Sequence, residues 1–173
     1  MTVDRSRIVQ QVNGDFFTKS FRITGTLGVG ISGLPGLLNY TTRSFAAIEN
    51  AYLSRIQEPG TIVAHYAAIR IAKTSLEFIA LAKRNVAATT TRPGVTRVAH
   101  HNVLIVTRAF EMRGVLEQTG KLDPESVLLD GTPRFFPIYN ATASLCSQPQ
   151  LQFSSEAILI NRLRVDLFCG DNM

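Results

Sequence analysis

The sequence predicts an all-β protein of two tandem, homologous small β-barrel or β-roll domains, with room for one short helix in each. Three observations predict it. Apolar residues alternate with period two, glycines sit inside the strand patterns, and the chain repeats itself at a period of roughly 90 residues. The repeat falls in three blocks that keep their order. FFTKSFRITGTL (16–27) returns as IVTRAFEMRGVL (105–116), so Thr18, Phe21, Gly25 and Leu27 recur as Thr107, Phe110, Gly114 and Leu116. LLNYTTRSFAAIENAYLS (37–54) matches LLDGTPRFFPIYNATAS (128–144) with one deletion. That alignment sets Arg43 and Phe45 on Arg134 and Phe136, and Ile48, Asn50 and Ala51 on Ile138, Asn140 and Ala141. AAIRIAKTSLEFI (67–79) matches EAILINRLRVDLF (156–168). So long a period is one domain used twice, not a solenoid unit. The expected division is 1–86, a linker at 87–97 (AATTTRPGVTR, punctuation and not core) and 98–173.

Along the chain, Phe17, Phe21 and Ile23 alternate with Thr18, Ser20 and Arg22 as in a half-buried strand. Gly25, and Gly114 after it, interrupt strand patterns, which marks a bulge, a bend or the close approach of another backbone. GVGISGLPG (28–36) reads as an apolar loop, with a short helical turn at Pro35–Asn39. Ile69 and Ile71 alternate around Arg70, and Leu76 and Phe78 around Glu77, with Lys73–Ser75 as the turn between two strands. Val103–Val106 is a run of strand formers. Asp123-Pro124-Glu125 supplies an N-cap, an N1 proline and an early acid for a short helix at Pro124–Asp130. Val165 and Leu167 alternate with Arg164, Asp166 and Phe168 in a closing strand.

Apolar residues make up 45% and charged residues 18%, which is globular and excludes a disordered chain. No apolar run is long enough to span a bilayer as a helix, and no secretory leader opens the chain, so the expected location is cytoplasmic. Fourteen Arg stand against four Lys, which favours interfaces and phosphates. The excess of base lies in the first half and in 87–97; residues 98–173 carry more acid than base. Opposite halves of this kind attract head to tail.

The chain lacks a Walker loop and a dinucleotide fingerprint. His100 and His101 are adjacent, so on a strand they face opposite ways and cannot share a metal; no HxxxH or Cys/His quartet accompanies them. Cys146 and Cys169 have no counterparts in the first repeat and read first as buried small apolar residues, with a disulfide or a reactive thiol as the other readings. The recurring residues are folding residues, Arg43/Arg134 excepted, so no catalytic set, metal or cofactor is expected. From Leu27 to Leu38 the only polar side chain is Ser32. Such a loop must be covered by the other repeat, another subunit or a membrane surface. The second repeat has EQTGKLDPES there, and that asymmetry makes the first loop a docking element. The expected contact residues are therefore Ile31, Leu34, Leu37 and Leu38, with Arg43 and Arg134 as polar anchors.

RITGTL (22–27), LLN (37–39) and FAAIENA (45–51), then EMRGVL (111–116), LLD (128–130) and FPIYNA (136–141), resemble a family of small uncharacterised bacterial β proteins. That family carries an I-x-G strand, a D-x-L-N-like segment and an F-x-P-L-T-D-A-like strand, and implies no activity. The layout is more distantly similar to Sm-like and other SH3-like small barrels. Ala72–Lys73 and Asn161–Arg162 stand where the Sm closing turn has Gly, and no aromatic-plus-Asn pair marks a base-binding loop. Three functions follow from these readings. The first is a non-enzymatic structural or interaction protein that self-assembles or docks on a larger complex. The second is a small-barrel nucleic-acid-binding protein, opposed by the acidic second half and the absence of Trp. The third is a ligand-sensing pair of domains with a pocket between Arg43, Arg134 and the glycine loop.

Overall fold

The computed structural model describes residues 10–87, 97–130 and 132–171; most of the expected linker, 88–96, lies outside the described residues. The strands are β1 (Gln10–Phe17), β2 (Phe21–Val29), β3 (Phe45–Arg55), β4 (Ile62–Ala72), β5 (Phe78–Leu81), β6 (Val98–Thr107), β7 (Phe110–Thr119), β8 (Phe135–Leu145), β9 (Gln148–Asn161) and β10 (Val165–Gly170). Short helices α1 (Gly33–Asn39), α2 (Arg84–Ala87) and α3 (Pro124–Leu128) fill the connections. Among the described residues, no helix is long and apolar enough to cross a membrane.

All ten strands belong to one antiparallel sheet, ordered β10-β6-β7-β8-β9-β5-β1-β2-β3-β4. The all-β class read from the sequence holds. The sheet is not closed, because among the described residues β4 and β10 at its ends each pair on one side only. The two barrels expected from the sequence therefore appear only as one continuous, unclosed sheet. The two halves lay their strands in the same order, β5-β1-β2-β3-β4 and β10-β6-β7-β8-β9. Corresponding ladders share a register: Phe16 faces Ile79 as Ile105 faces Phe168, and Ile48 faces Ile69 as Ile138 faces Ile158.

Each half bends at the same device. Asn50 in β3 and Asn140 in β8 have φ of 48° and 47°, a left-handed conformation that Asn tolerates better than most residues. Each is the extra residue of a β-bulge, where the β2–β3 and β7–β8 registers shift. The glycine of the facing strand lies against that bulge. A Cβ on Gly25 would meet Ile48 Cγ2 at 2.5 Å and Glu49 O at 2.9 Å; on Gly114 it would meet Tyr139 O at 2.9 Å. The bulge also restores the apolar set to the inner face: Ala46 and Ile48 point into the core before it, and Ala51 after it. Curling is further enforced by the links from β4 to β5 and from β9 to β10. Each joins strands at opposite ends of a five-strand set through little more than a 3-10 turn, Lys73–Ser75 or Arg162–Arg164.

Two cores result, and they share a wall. One holds Val12, Phe16, Leu27, Leu34, Leu38, Ile48 and Ile79 together with Phe135, Tyr139, Ala157 and Leu159 from the second half. The other holds Ile105, Phe110, Met112, Ile138, Ile158 and Ile160 together with Phe17, Ile56 and Phe78 from the first. Neighbouring residues of β5 and β9 thus enter opposite cores, so this wall is buried on both faces. An aromatic cluster spans it: Phe17 stacks on Phe78 at 4.3 Å, and Phe78 meets Phe110 edge-on at 4.9 Å.

Three local expectations change. FFTKSFRITGTL is not one strand, because Thr18–Ser20 forms the β1–β2 turn. Thr18 Oγ1 accepts from the N–H groups of Ser20 and Phe21, as Thr107 Oγ1 does from those of Ala109 and Phe110, which is why this Thr recurs. The apolar loop at 28–36 runs into α1. Arg134 corresponds to Ser44 and not to Arg43: Lys73 N donates to Ser44 O as Arg162 N donates to Arg134 O, and Phe45 faces Ala72 as Phe135 faces Asn161. The deletion therefore lies before Ser44, several residues earlier than the sequence alignment places it.

Two outcomes follow. Gly25→Ala lowers unfolding stability by about 1–3 kcal/mol, because backbone and a core methyl must move, whereas Gly60→Ala, with open space around it, stays within about 0.5 kcal/mol in urea titrations. A chain cut between 88 and 96 yields halves that do not fold cooperatively alone, since each lacks core residues that the other supplies, and that regain native circular dichroism when mixed.

Candidate interaction surfaces

The outer side of β4 is one candidate surface. Ile62, Val63 and Tyr66 on this strand are exposed, and Phe45 at the start of β3 is exposed beside it. Between α1, β3 and β4 lies an open groove of about 690 Å³, with Leu37, Tyr40, Phe45, Arg43 and Arg70 on its walls. At the opposite end of the sheet, β10 exposes Leu167, and Leu129 after α3 is exposed as well. Acidic Asp130, Asp166 and Asp171 are exposed on that side.

Beneath the first surface sits a buried cation. Lys73 opens the 3-10 turn after β4, and its Nζ donates to the carbonyls of Leu37 at 2.6 Å and Tyr40 at 3.0 Å. It thereby caps the C-terminal end of α1, where orphan carbonyls favour positive charge. Burial pushes the Lys73 pKa down, and the nearby charges of Arg134 and Arg43 add to that. In the second half Arg162 has the same task, donating to Leu128 O at 3.1 Å and to Asp130 Oδ1 at 3.3 Å.

The structure separates the sequence-derived contact residues. Leu34 and Leu38 are fully buried in the first core, so neither is free for a partner, and Leu37 is half-buried against the same core. Ile31 is fully exposed at the tip before α1. Their loop is covered by its own core and by the second half: Asn39 Oδ1 accepts from Phe135 N at 2.9 Å. Arg43 is exposed and lines the groove. Arg134 is half-buried at the start of β8 and does not line it, and its Nε finds no hydrogen-bond partner among the described residues. The two arginines do converge electrostatically, on Lys73.

Sequence reasoning missed Lys73, Phe45, Leu129 and Leu167. A usable signal existed for two of them. In the repeat alignment Phe45 and Leu129 fall on Phe136 and Leu38, apolar residues that a closed domain would have had to bury.

Other titratable groups fall into structural roles. His100 and His101 face apart on β6, to Glu117 Oε1 at 3.0 Å and to Gly120 O at 3.1 Å. Arg84 in α2 pairs with Glu117 and lies 4.0 Å over the Tyr139 ring, tying the first half to the second. Burial, with the Glu117 carboxylate, pushes the Tyr139 hydroxyl up against the opposing pull of Arg84. The cysteines are not the buried apolar residues expected: both are free thiols, Cys146 exposed and Cys169 partly so, because each sits at a strand end or edge. Comparison with family models, curated proteins and solved structures finds no match.

The Lys73 arrangement has a pH signature. Its folded pKa lies below the ordinary 10.5, so between the two values the unfolded chain binds more protons. Stability therefore rises with pH through that window, as the cost of a buried charge is relieved. Relative to Lys73→Met, which has no such charge, the wild-type chain gains stability as the pH approaches 10.5. Paired urea titrations measure this difference, and one that stays flat contradicts it.

Proposed function

We propose that this is a non-enzymatic structural or interaction protein that works by assembling with itself. One observation carries the reading: among the described residues, both ends of the open sheet leave a strand unpaired on its outer side, with large apolar side chains exposed beside it. Such edges are templates for pairing with another chain, and monomeric proteins usually blunt or cover them. On this reading the common strand order of the halves reflects a tandem duplication of one small β domain.

Nucleic-acid binding is the second reading, favoured by exposed Arg43 and Arg70 beside the groove. It predicts binding that falls steeply with salt.

Light scattering on a sizing column, at low and at high salt, tests the first reading. The expected mass is a multiple of 19.0 kDa or an open series of multiples. A monomer under both conditions overturns it.

A further inference from the structure

The sheet contains a joint of the kind that its ends lack. At its middle β5, the last strand of the first half, pairs with β9, the fourth strand of the second half, with Phe78 facing Ile160, Ile79 facing Leu159, Ala80 facing Ile158 and Leu81 facing Ala157. The free ends are the two remaining strands of the same kinds. β10 is the last strand of the second half, and β4 is the fourth strand of the first. We infer that β10 of one copy pairs with β4 of the next, repeating the β5–β9 joint between molecules. This rests on the self-assembly reading above and names its joint.

The shared register of the halves fixes the pairs. Leu167, Phe168, Cys169 and Gly170 correspond to Phe78, Ile79, Ala80 and Leu81, because they face the same positions of the neighbouring first strand. Ala68, Ile69, Arg70 and Ile71 correspond to Ala157, Ile158, Leu159 and Ile160. The intermolecular ladder therefore sets Leu167 opposite Ile71, Phe168 opposite Arg70, and Cys169 opposite Ile69.

Burial supports this placement independently. Two apolar residues that are exposed at the ends have counterparts that the internal joint buries. Phe45 is 57% exposed, whereas Phe135 is 2%. Leu167 is 51% exposed, and Phe78 not at all. At the internal joint Phe135 packs into the core formed over Leu38, and Asn39 accepts from its N–H. Both ends carry mixed charge, Arg43 and Arg70 with Glu49 on the β4 side and Asp166 and Asp171 with Arg162 and Arg164 on the β10 side, so the register and the burial carry the placement.

Not every contact is repeated: Arg84 in α2, which reaches Glu117 and Tyr139 across the internal joint, has no counterpart after β10 among the described residues. Asn161 Nδ2 donates to Leu76 O at 2.8 Å across the internal joint, and its counterpart in β4 is Ala72, which has no side-chain donor. The intermolecular joint is the weaker of the two. Since β4 and β10 are different surfaces, the contact is heterologous, and its products are closed rings or open filaments.

The test uses the full chain with Cys146→Ser and Ile69→Cys, which leaves Cys169 as the intended partner thiol. Mild oxidation gives a ladder of 19.0 kDa multiples on a non-reducing gel, and adding Cys169→Ser abolishes it. In parallel, Leu167→Asp and Phe45→Asp, both at exposed positions, reduce the scattering mass to one chain while leaving the far-ultraviolet circular dichroism and thermal midpoint of that chain intact. A wild-type mass that is a multiple of 19.0 kDa, with no Cys169-dependent ladder and no response to the two aspartates, overturns this joint but leaves self-assembly standing. A wild-type monomer overturns both.

Discussion

The structure depends on the pairing of β5 with β9. Four residues on each side join the two halves of the sheet at its middle, and both faces of that wall are buried. Removing it would do more than separate two domains. The first core would lose Phe135, Tyr139, Ala157 and Leu159, and the second would lose Phe17, Ile56 and Phe78. Large buried side chains are each worth on the order of 2–5 kcal/mol, comparable with the whole stability of a small domain. The halves share one stability, although each has its own curl and its own bulge.

That curl comes from a two-residue device used twice. An Asn with positive φ adds a residue to one strand, and a Gly on the facing strand leaves room for it. Neither residue works alone, since a side chain at Gly25 would strike the bulged backbone, and without a bulge the strand would turn its apolar set to solvent. The cations at Lys73 and Arg162 then tie each short helix to the corner where the chain crosses to its last strand.

The features legible in the sequence were those set by local chemistry. Alternation gave the strands, Gly25 and Gly114 gave the bulges, and Asp123-Pro124 gave the start of α3, where Asp123 Oδ1 accepts from Ser126 N at 3.2 Å. The pairing of β5 with β9 was not legible, because period-two reasoning looks for strands with one wet face. A strand buried on both faces reads instead as an unbroken apolar run, and Phe78–Leu81 and Ala157–Ile160 are such runs. The contact residues were misjudged for a related reason. Leu34 and Leu38 looked surplus because an apolar loop was imagined without the core that α1 covers. Lys73 was read as turn punctuation because nothing local shows that its ammonium reaches two carbonyls more than thirty residues earlier in the chain.

The shared wall also sets an order of events during synthesis. β5 is finished at residue 81, but the strand that covers it ends only at 161. At translation speeds of roughly 5–20 residues per second, the first half waits on the order of 5–15 s with Phe17 and Phe78 bare and one sheet edge open. In that interval nascent chains on neighbouring ribosomes can pair with each other through the edge that β9 should occupy. The open edge and the bare aromatic faces are thus the places where the growing chain is most prone to aggregate, a vulnerability that the finished sheet hides.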